Sequence, residues 1–442
     1  MKQTNLIKKV ENDRVKFIHL QFTDILGTIK NVTKPVEHLP RILEEGVWFD
    51  GSSIEGFARI CESDMLLVPD LSTYHLLPWS ENEKRAARII CDIQTINTQP
   101  FEGDPRYILK RMLKKAKEKG YIYNTGPEVE FFLLQKIDGR PKPVPHDVGG
   151  YFDFSPHDPA SEVREETLLA LKELGINGES SQHEVAGGQH EIDIRYADAL
   201  TSADNVMTLK YTIRAIAHRH DLYTTFMPKP IFGINGSGMH THQSLFNTKG
   251  ENLFFARDDR YKLSKLAYSF IAGQLAHAKA LAAIVAQTVN SYKRLVPGYE
   301  APVYICWGQV NRSALIRIPR YSKGREQATR AELRCPDPCC NPYLAFACML
   351  AAGLDGVEKR MKPPEPVEEN VYHFDDQKLK ELSIDSLPGS LEEALNELEK
   401  DKVLLEALGS HTAEKLLQAK KTEWNDYRTQ VTPWELQEYL EF

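Results

Sequence analysis

Polar side chains of the kind that bind metals and phosphates recur at alternating positions in five short stretches of this chain. The stretches are Glu128/Glu130, Glu191/Asp193/Arg195, His240/His242/Ser244, Arg312 with Arg317, and Arg330/Glu332/Arg334. In a β-strand, residues i and i+2 face the same side of the sheet. Because charges on a sheet face are costly unless they are paired or hold a metal, the pattern predicts a polar basin of carboxylates and imidazoles bordered by arginines. Such a basin suits divalent cations together with phosphates.

The first hundred residues are predicted to form short strands joined by turns. Two β-like runs in FIHLQFTDILGTIKNV are separated by a turn at Asp24 to Gly27, and ARIICDI is a further apolar strand. A helix is then expected to begin at Asp104-Pro105, with the aspartate as N-cap, and to end at Gly120. We therefore predict two domains, residues 1–103 and residues 104–442.

Strands and helices are mixed in the remainder of the chain. YNTGPEVEFFLLQ is predicted to be a strand ending near Asp138-Gly139, and PVPHDVGGYFDFSP to be a loop. The apolar stretch KLSKLAYSFIAGQLAHAKALAAIVAQT predicts one long buried helix. Further helices are expected in SEVREETLLALKELG, ADNVMTLKYTIRAIAHRH, NPYLAFACMLAAGLDGVEKR, LEEALNELEKDKVLLEALG and HTAEKLLQAKKTEWNDYR. The apolar tail WELQEYLEF is expected to dock on another surface.

Composition narrows the class of protein. The formal net charge of -7 disfavours a general binder of nucleic acid or anionic membranes. The N-terminus lacks the apolar core of a signal peptide, and no run of roughly 18 apolar residues is present. The seven cysteines are few for this length and odd in number, so we expect a reduced, cytoplasmic protein. The run from Cys335 to Cys340 lacks the second cysteine or histidine pair that a structural zinc site requires.

Each polar stretch, taken alone, also has a structural interpretation as a solvated strand face or a turn. Glu184 and Glu191 flank a Gly-Gly turn that would let their carboxylates converge on one point. His240 and His242 follow the Gly-rich segment that begins at Asn235. Glutamate and histidine together favour Mg²⁺ or Mn²⁺ over Ca²⁺ or a structural zinc ion.

Six short blocks also occur in one order across nearly the whole chain. They are Phe49-Asp-Gly-Ser-Ser53, Glu128-Val-Glu130, Asn235-Gly-Ser-Gly-Met-His240, Lys293-Arg-Leu-Val-Pro-Gly-Tyr-Glu300, Asn311-Arg-Ser, and Glu332-Leu-Arg334 before Pro-Asp-Pro. Together they resemble the glutamine synthetase family, in its prokaryotic type I form. The resemblance implies an α+β fold: an N-terminal β-grasp domain and a C-terminal catalytic domain, in which helices wrap a curved antiparallel sheet shaped as a funnel.

The resemblance further implies which residues bind the metals, ATP, glutamate and ammonium. One Mg²⁺ or Mn²⁺ would be held by Glu130, Glu184 and Glu191, and a second by Glu128, His240 and Glu332. ATP would contact Glu179, Tyr196, His242, Ser244, Arg317 and Arg330. Glutamate would contact Asn235, Gly236, Arg294, Arg312 and Arg334. Ammonium would lie between Asp50 and Ser53 of a neighbouring subunit and Tyr151, Glu184 and Glu300 of this one.

The activity implied by the resemblance is that of a glutamate–ammonia ligase in nitrogen assimilation. ATP would phosphorylate the glutamate side chain, and ammonia would displace phosphate from the γ-glutamyl phosphate to give glutamine. Arg312 would stabilise the transferred phosphoryl group, Asp50 would deprotonate ammonium, and Glu300 would act as a lid and remove a later proton. The implied assembly is a homododecamer of two hexameric rings with active sites shared between subunits and with the apolar tail docking between the rings.

Regulation and two alternative functions stay open at this point. Arg59 lies where feedback residues occur in relatives, and glutamine, 2-oxoglutarate or a PII-type signalling protein are candidate effectors. Tyr372 aligns roughly with a tyrosine that some relatives adenylylate, but the sequence after it differs, so adenylylation is not expected. The alternatives are a ligase that joins glutamate to another amine, and a non-catalytic protein with the same fold. The presence of Asp50, Tyr151 and Glu300 favours ammonia, and six intact metal ligands favour catalysis.

Overall fold

The computed structural model describes residues 2–52, 54, 56, 64–154, 156, 158–299 and 301–442. Its N-terminal part contains one mixed sheet, two α-helices and short 3-10 helices. The strands are β1 (Phe17–Thr23), β2 (Ile29–Pro35), β3 (Val47–Asp50), β4 (Asp64–Pro69), β5 (His75–Leu76) and β6 (Ala86–Thr95), and the helices are α1 (Gln3–Asn12) and α2 (Leu39–Glu45). Among these residues the strand order is β2-β1-β6-β4-β3, with β5 also on β6. The β1–β2 hairpin turns at residues 24–28, as predicted.

The prediction of strands and turns alone is wrong for the two segments that form α1 and α2. Leu6 and Val10 are spaced four residues apart and both are buried, as are Leu39 and Ile42, spaced three apart. Each helix therefore buries only one narrow apolar stripe. Stripes of two residues are too short to stand out from polar neighbours in the sequence.

The second sheet is organised around one long strand. Its strands are β7 (Ile122–Ile137), β8 (Arg140–Pro145), β9 (Gly178–His183), β10 (Gln189–Ile194), β11 (Ala197–Asp198), β12 (Leu222–Thr225), β13 (Thr241–Phe246), β14 (Tyr304–Gly308), β15 (Ala314–Arg317), β16 (Ala331–Leu333) and β17 (Asp385–Ser386). The main order is β17-β14-β15-β16-β13-β7-β10-β9, and β8, β11 and β12 pair with other parts of β7. The described pairs are antiparallel except β14 with β15. The strand predicted around Glu128 is confirmed, whereas Pro143 to Pro145, predicted as loop, belong to β8.

The described residues of this part also form helices. They are α3 (Pro105–Glu118), α4 (Ser161–Glu173), α5 (Ala199–Arg219), α6 (Lys265–Ala276), α7 (Ala278–Val285), α8 (Ser291–Arg294), α9 (Pro342–Glu358), α10 (Asp376–Glu381), α11 (Leu391–Leu398), α12 (Lys402–Leu408), α13 (Ser410–Arg428) and α14 (Pro433–Tyr439). The backbones of α6 and α9 approach so closely that a Cβ on Gly356 would lie 2.1 Å from the Ser269 carbonyl oxygen. No described helix has the length and hydropathy needed to cross a bilayer.

The single long helix predicted from Lys262 to Thr288 is wrong, because the chain forms two helices that meet at His277. This residue ends α6 and precedes α7. Its Nδ1 lies 2.6 Å from Asp401 Oδ2, and its Nε2 lies 3.1 Å from Asp355 Oδ2. The imidazole therefore links the helix junction to α9 and to the N-terminus of α12, which a pattern of apolar residues cannot reveal.

The His277 junction should make stability depend on pH. Burial alone would lower the pKa of His277, but hydrogen bonds to Asp401 and Asp355 outweigh burial and raise it above 6.5. A raised pKa in the folded state stabilises the fold fully below pH 6.5, and this contribution is lost as pH rises through the folded-state pKa. The stability difference between the unsubstituted protein and His277→Gln should therefore shrink as pH rises, in thermal unfolding followed at pH 6 to about 9.

Exposed His218, at the end of α5, offers a matched control. His218→Gln removes an imidazole that contacts neither Asp355 nor Asp401, so it should not reproduce the stability difference of His277→Gln. A His277→Gln difference that stays constant or grows with pH would rule out the charged imidazole.

The two domains have separate cores and are joined by buried polar contacts. Arg106, at the start of α3, donates to Asp70 and Asp92 of the first domain and to Asp204 on α5 of the second. Asn341 donates to the Asp24 carbonyl in the β1–β2 turn at 3.0 Å. The segment between β6 and α3 connects the domains, and the division at 103/104 stays a prediction.

Candidate active site

Carboxylates face each other across two neighbouring strands. On β7, Val129 and Phe131 point into the main core, so Glu128 and Glu130 lie on the opposite face. The register of β7 with β10 places Glu130 opposite Glu191 and Glu128 opposite Asp193. Like charges directly opposite in a sheet are destabilising. This face of the sheet therefore favours a bound cation over a metal-free state.

Two imidazoles lie on the same face of the sheet, carried by β13 and the residue before it, and β13 pairs with β7 as β10 does. His242 Nδ1 accepts a hydrogen bond from Arg330 Nε at 3.2 Å, so its proton is on Nε2, which donates to Glu128 Oε1 at 2.6 Å. His240 Nδ1 lies 3.5 Å from Glu128 Oε2 and 3.8 Å from Glu332 Oε1. Burial, and then the charge of Arg334, lower the pKa of His240 to about 4. His240 is therefore neutral at physiological pH, the form that coordinates metals.

Glu332 is fully buried and held by two arginines. Arg334 Nη1 donates to Glu332 Oε1 at 2.7 Å, and Arg317 Nε lies 2.9 Å from Oε2. Burial would raise the pKa of Glu332, but Arg334, His242 and His240 together outweigh it, so the net shift is downward. The carboxylate is therefore ionised and fixed in place before any ligand arrives.

Glu130 and Glu191, in contrast to Glu332, are buried among other carboxylates. Burial, together with the charge of Glu184, raises the pKa of Glu130 to about 8. Burial, together with Asp193 and Glu130, raises the pKa of Glu191 to about 12. Such upward pKa shifts arise where carboxylates lie close together and away from water. A bound cation would remove this penalty by balancing the negative charge.

The six predicted metal ligands line one cavity of about 360 Å³. Ligand-type atoms of Glu128, His240 and Glu332 all lie within 4.8 Å of one another. The same cavity is lined by Tyr151 and by the five predicted glutamate contacts, which are Asn235, Gly236, Arg294, Arg312 and Arg334. The hard oxygen and imidazole donors fit Mg²⁺ or Mn²⁺.

A second cavity of about 330 Å³ adjoins the first, and both are lined by Glu128 and Asp193. Five of the six predicted nucleotide contacts line it, namely Glu179, Tyr196, His242, Ser244 and Arg330. The sixth, Arg317, lines the first cavity instead, because its side chain is drawn to Glu332. Phosphates bound between the two cavities would therefore lie against arginines from both sides.

The remaining predicted residues lie elsewhere or outside the described part of the chain. Asp50, at the end of β3, is exposed and lines neither cavity of its own chain, while its carboxylate accepts a hydrogen bond from the Ser52 amide at 2.8 Å. Ser53, Glu300 and Arg59 lie outside the described residues. Their predicted roles in ammonium binding, proton removal and regulation stay predictions.

Sequence reasoning missed several polar residues in these cavities. Gln189 Nε2 donates to Glu130 Oε2 at 3.0 Å, and Gln182 Nε2 donates to Glu191 Oε1 at 2.8 Å. Gln189 lies two residues before Glu191, so extending the same-face rule along β10 would have found it. Gln182 stands two residues before Glu184 and could have been found in the same way.

Asp147 and His183 lie next to the turn between β9 and β10. Asp147 accepts hydrogen bonds from His183 Nε2 at 3.1 Å and from the Gly188 amide at 2.6 Å. His183 Nδ1, 2.7 Å from the Glu184 carbonyl oxygen, donates to it. Hydrogen bonds raise the pKa of His183 despite the opposing effect of burial. Asp147 thus holds the turn that carries Glu184.

Comparisons with known proteins agree with this geometry. The family model for the glutamine synthetase β-grasp domain matches residues 14–96, and the model for the catalytic domain matches residues 102–439. The glutamine synthetase of Thermotoga maritima is 53% identical over 433 residues, with 98% of each chain covered. That of Methanocaldococcus jannaschii is 55% identical over 445 residues, covering 98% of this chain and 97% of the relative.

Structural similarity extends over the same length. A solved GmaS/ADP complex superposes with a TM-score of 0.90 at 34% identity, covering 99% of each chain. The β-grasp domain and the curled sheet with its helices, expected from the resemblance, are thereby confirmed. Family members form glutamine in an ATP-dependent reaction that requires divalent metals. Site geometry, family models and full-length relatives agree, and the chain belongs to the glutamine synthetase family.

Proposed function

We propose that this protein ligates ammonia to the side-chain carboxylate of L-glutamate with the residues described above. The observation that supports this most directly is the single cavity lined by five glutamates and His240, bordered by Arg312, Arg317 and Arg334. A carboxylate is a poor electrophile, since its leaving group would be oxide. Phosphorylation by ATP supplies phosphate as a leaving group, and the site must then stabilise the charge on the transferred phosphoryl group.

Arginines would orient both substrates at this site. Arg312 lines the cavity and would contact the phosphoryl group as it moves from ATP to glutamate. Arg330, fixed against His242, would face the nucleotide phosphates from the adjoining cavity. Arg294 donates to the carbonyls of Arg334 and Cys335, and so holds one wall of the glutamate pocket. Bidentate arginine contacts favour carboxylates and phosphates over neutral ligands.

The metal sets Glu130/Glu184/Glu191 and Glu128/His240/Glu332 would each hold one Mg²⁺ or Mn²⁺. A bound divalent cation supplies electrophilic stabilisation of phosphate oxygens. In its absence the chain has an internal conflict, since Glu191 and Glu130 lie opposite one another in a buried space. The donor set therefore supports metal-dependent ordering of this face as well as metal-dependent activity.

Ammonium has no free lone pair, so a base must deprotonate it before attack on the γ-glutamyl phosphate. We assign this role to Asp50 of a neighbouring subunit, because Asp50 is exposed at a domain edge and lines neither cavity of its own chain. Tyr151 and Glu184 would bind the cation from this subunit, with Ser53 beside Asp50. Glu300 would exclude water and take the later proton.

Asp50→Ala should lower the rate of glutamine formation about 100-fold, the lower end of what a general base contributes. ATP binding, measured by fluorescence titration with a nucleotide analogue, should be unchanged. The matched control is Asp64→Ala, because Asp64 is directly opposite Asp50 on β4 and is also exposed. Full ligase activity in Asp50→Ala would exclude the deprotonation role.

The proposal extends to the assembly, the location and the regulation of the protein. The family is homo-oligomeric, and we propose a dodecamer in which the exposed Trp434, Tyr439 and Phe442 dock between rings. The free cysteines among the described residues fit a cytoplasmic location. Glutamine, 2-oxoglutarate or a PII-type protein are the proposed effectors, with Arg59 as a feedback residue. Tyr372 donates to the Ala301 carbonyl at 2.5 Å, which supports the absence of adenylylation.

A competition assay tests the substrate assignment. Phosphate release from ATP would be measured with glutamate, Mg²⁺ and either ammonium or a series of small primary amines. We expect ammonium to give the highest kcat/KM, with glutamine as the detected product. A higher kcat/KM for a larger amine would replace ammonia with that amine, and no phosphate release with any of them would argue for a non-catalytic protein.

A further inference from the structure

One buried lysine connects the wall of the glutamate pocket to an aromatic residue over the same cavity. Lys229 has only 9% of its surface exposed, and its Nζ lies 3.7 Å from the centroid of the Tyr299 ring. The same Nζ donates to the carbonyl of Ile234, the residue before Asn235. Tyr299 and Asn235 both line the first cavity. A single ammonium group therefore contacts one residue that lines the cavity and the chain neighbour of another.

The backbone of Lys229 is fixed as firmly as its side chain. Its amide donates to Asn290 Oδ1 at 2.7 Å, and Asn290 Nδ2 donates back to its carbonyl at 3.0 Å. The loop that follows is equally tight, because the Ser237 amide donates to the Pro228 carbonyl at 2.8 Å. A Cβ on Gly236 would lie 2.2 Å from that carbonyl oxygen, so only glycine fits there. Lys229 is therefore a rigid point from which a neighbouring loop can be held.

Tyr299, in contrast, lies in a loop with few regular backbone contacts. Pro297 and Gly298 before it are exposed, and Gly298 has a φ of +97°. Beyond it, the Ala301 carbonyl is held by the Tyr372 hydroxyl. The described part of this loop is thus anchored at its far end by Tyr372 and at its start by buried Leu295, and Tyr299 between them is held by Lys229. An ammonium over an aromatic face is attracted by the ring quadrupole, most strongly where water is excluded.

We infer that Lys229 is a positioning residue that holds Tyr299 over the cavity and thereby limits the entry of water during the reaction. The inference rests on the proposed function, since it concerns the γ-glutamyl phosphate. Water that reached this intermediate would form a C–O bond at the acyl carbon, the bond to phosphate would break, and glutamate and phosphate would result with loss of a proton. The net effect would be ATP hydrolysis without glutamine.

The ratio of uncoupled phosphate, released beyond one per glutamine, to glutamine formed tests this role. Lys229→Met keeps the apolar stem and removes the ammonium, and it should raise that ratio about 2- to 30-fold, the range that the loss of one cation–π contact allows. Tyr299→Leu removes the ring from the other side and should have a similar effect. Because both changes break one contact, the double variant should not exceed the larger single effect.

Lys293→Met is the matched control. Lys293 lies on α8 near the same loop and places its Nζ 5.0 Å from the centroid of the Tyr427 ring, but it is exposed and does not line the cavity. Its loss should leave the ratio of phosphate to glutamine unchanged. Thermal unfolding and gel filtration of every variant would identify any that misfold, and Tyr299→Leu keeps the test open if Lys229→Met is among them.

The outcomes separate the inference from the proposed function. If the unsubstituted protein forms glutamine but Lys229→Met and Tyr299→Leu keep the same ratio, the positioning role is wrong. Strictly additive effects in the double variant would also overturn it, because the residues would then act independently. If the unsubstituted protein forms no glutamine, it is the proposed function that fails.

Discussion

Replacing Glu191 by glutamine is expected to reduce glutamine formation about 1,000-fold, because a metal ligand that supplies several kcal/mol of charge stabilisation is lost. The same change should leave the metal-free protein at least as stable as the unsubstituted one. Glu191 is directly opposite Glu130 on the neighbouring strand, and burial raises its pKa to about 12, with Asp193 adding to the shift. Glutamine resembles the protonated carboxyl in shape and can still accept the hydrogen bond from Gln182.

The sign of the stability effect follows from proton linkage. Between the ordinary glutamate pKa of 4.5 and the raised value, the folded state binds more protons at Glu191 than the unfolded state does. Stability of the metal-free protein therefore falls as pH rises through that range. Glu191→Gln removes this dependence, so its advantage in thermal unfolding with EDTA should grow from pH 5 to pH 8. With Mg²⁺ the order should reverse, because the variant gains less from the ion.

Glu118→Gln, on the exposed end of α3, is the control for both measurements. It should change neither activity nor the effect of Mg²⁺ on unfolding. A Glu191→Gln protein that loses activity but gains as much stability from Mg²⁺ as the unsubstituted protein would show that Glu191 does not bind the metal. A variant destabilised in EDTA would show that the carboxylate is stabilising without a cation.

Arg106→Met is expected to lower the free energy of unfolding by about 3–5 kcal/mol, the usual cost of removing one member of a buried ion network. Arg106 is 3% exposed and lies 2.8 Å from both Asp204 and Asp70, and 2.7 Å from Asp92. Removal of the guanidinium leaves three carboxylates close together with less compensation. Because Asp70 and Asp92 belong to the first domain and Asp204 to the second, the loss should also loosen the contact between domains.

Chemical denaturation would measure the free energy of unfolding. Limited proteolysis between β6 and α3 would measure how far the contact between the domains is loosened. The control is Arg41→Met, which removes the exposed ion pair between Arg41 and Glu45. Exposed pairs contribute little, so that variant should behave like the unsubstituted protein. If Arg106→Met unfolds like Arg41→Met, or resists proteolysis equally well, the network does not join the domains.

The sequence was most informative where local geometry alone determines direction. Two-residue periodicity predicted that Glu128 and Glu130 share a face, and the apolar core on the other side of β7 enforces this. Capping residues predicted α3 closely, since Asp104 accepts from the Arg106 amide as an N-cap should. Helical stripes of two residues, in α1 and α2, and the break at His277 were missed. The reason is that their stability comes from contacts made by distant segments.

In the candidate site, too, the identity of the residues was predicted but the contacts between distant segments were not. The resemblance identified residues that line two adjoining cavities, but it could not show that Arg317 turns toward Glu332 and away from the nucleotide cavity. Nor could it show Lys229 beneath Tyr299, because these residues are 70 positions apart. Such pairings depend on which loops the fold brings together.

By itself, the sequence determined which residues can carry charge, coordinate a metal or accept a proton, and which of them share a strand face. Only the tertiary structure decided that Glu130 stands opposite Glu191 and that Glu332 lies between two guanidiniums. Burial among like charges raises the pKa values of Glu130 and Glu191, whereas neighbouring positive charge lowers that of Glu332. The physical reason is that side-chain type and strand period are local properties, whereas desolvation and the distance between charges depend on how the whole chain packs.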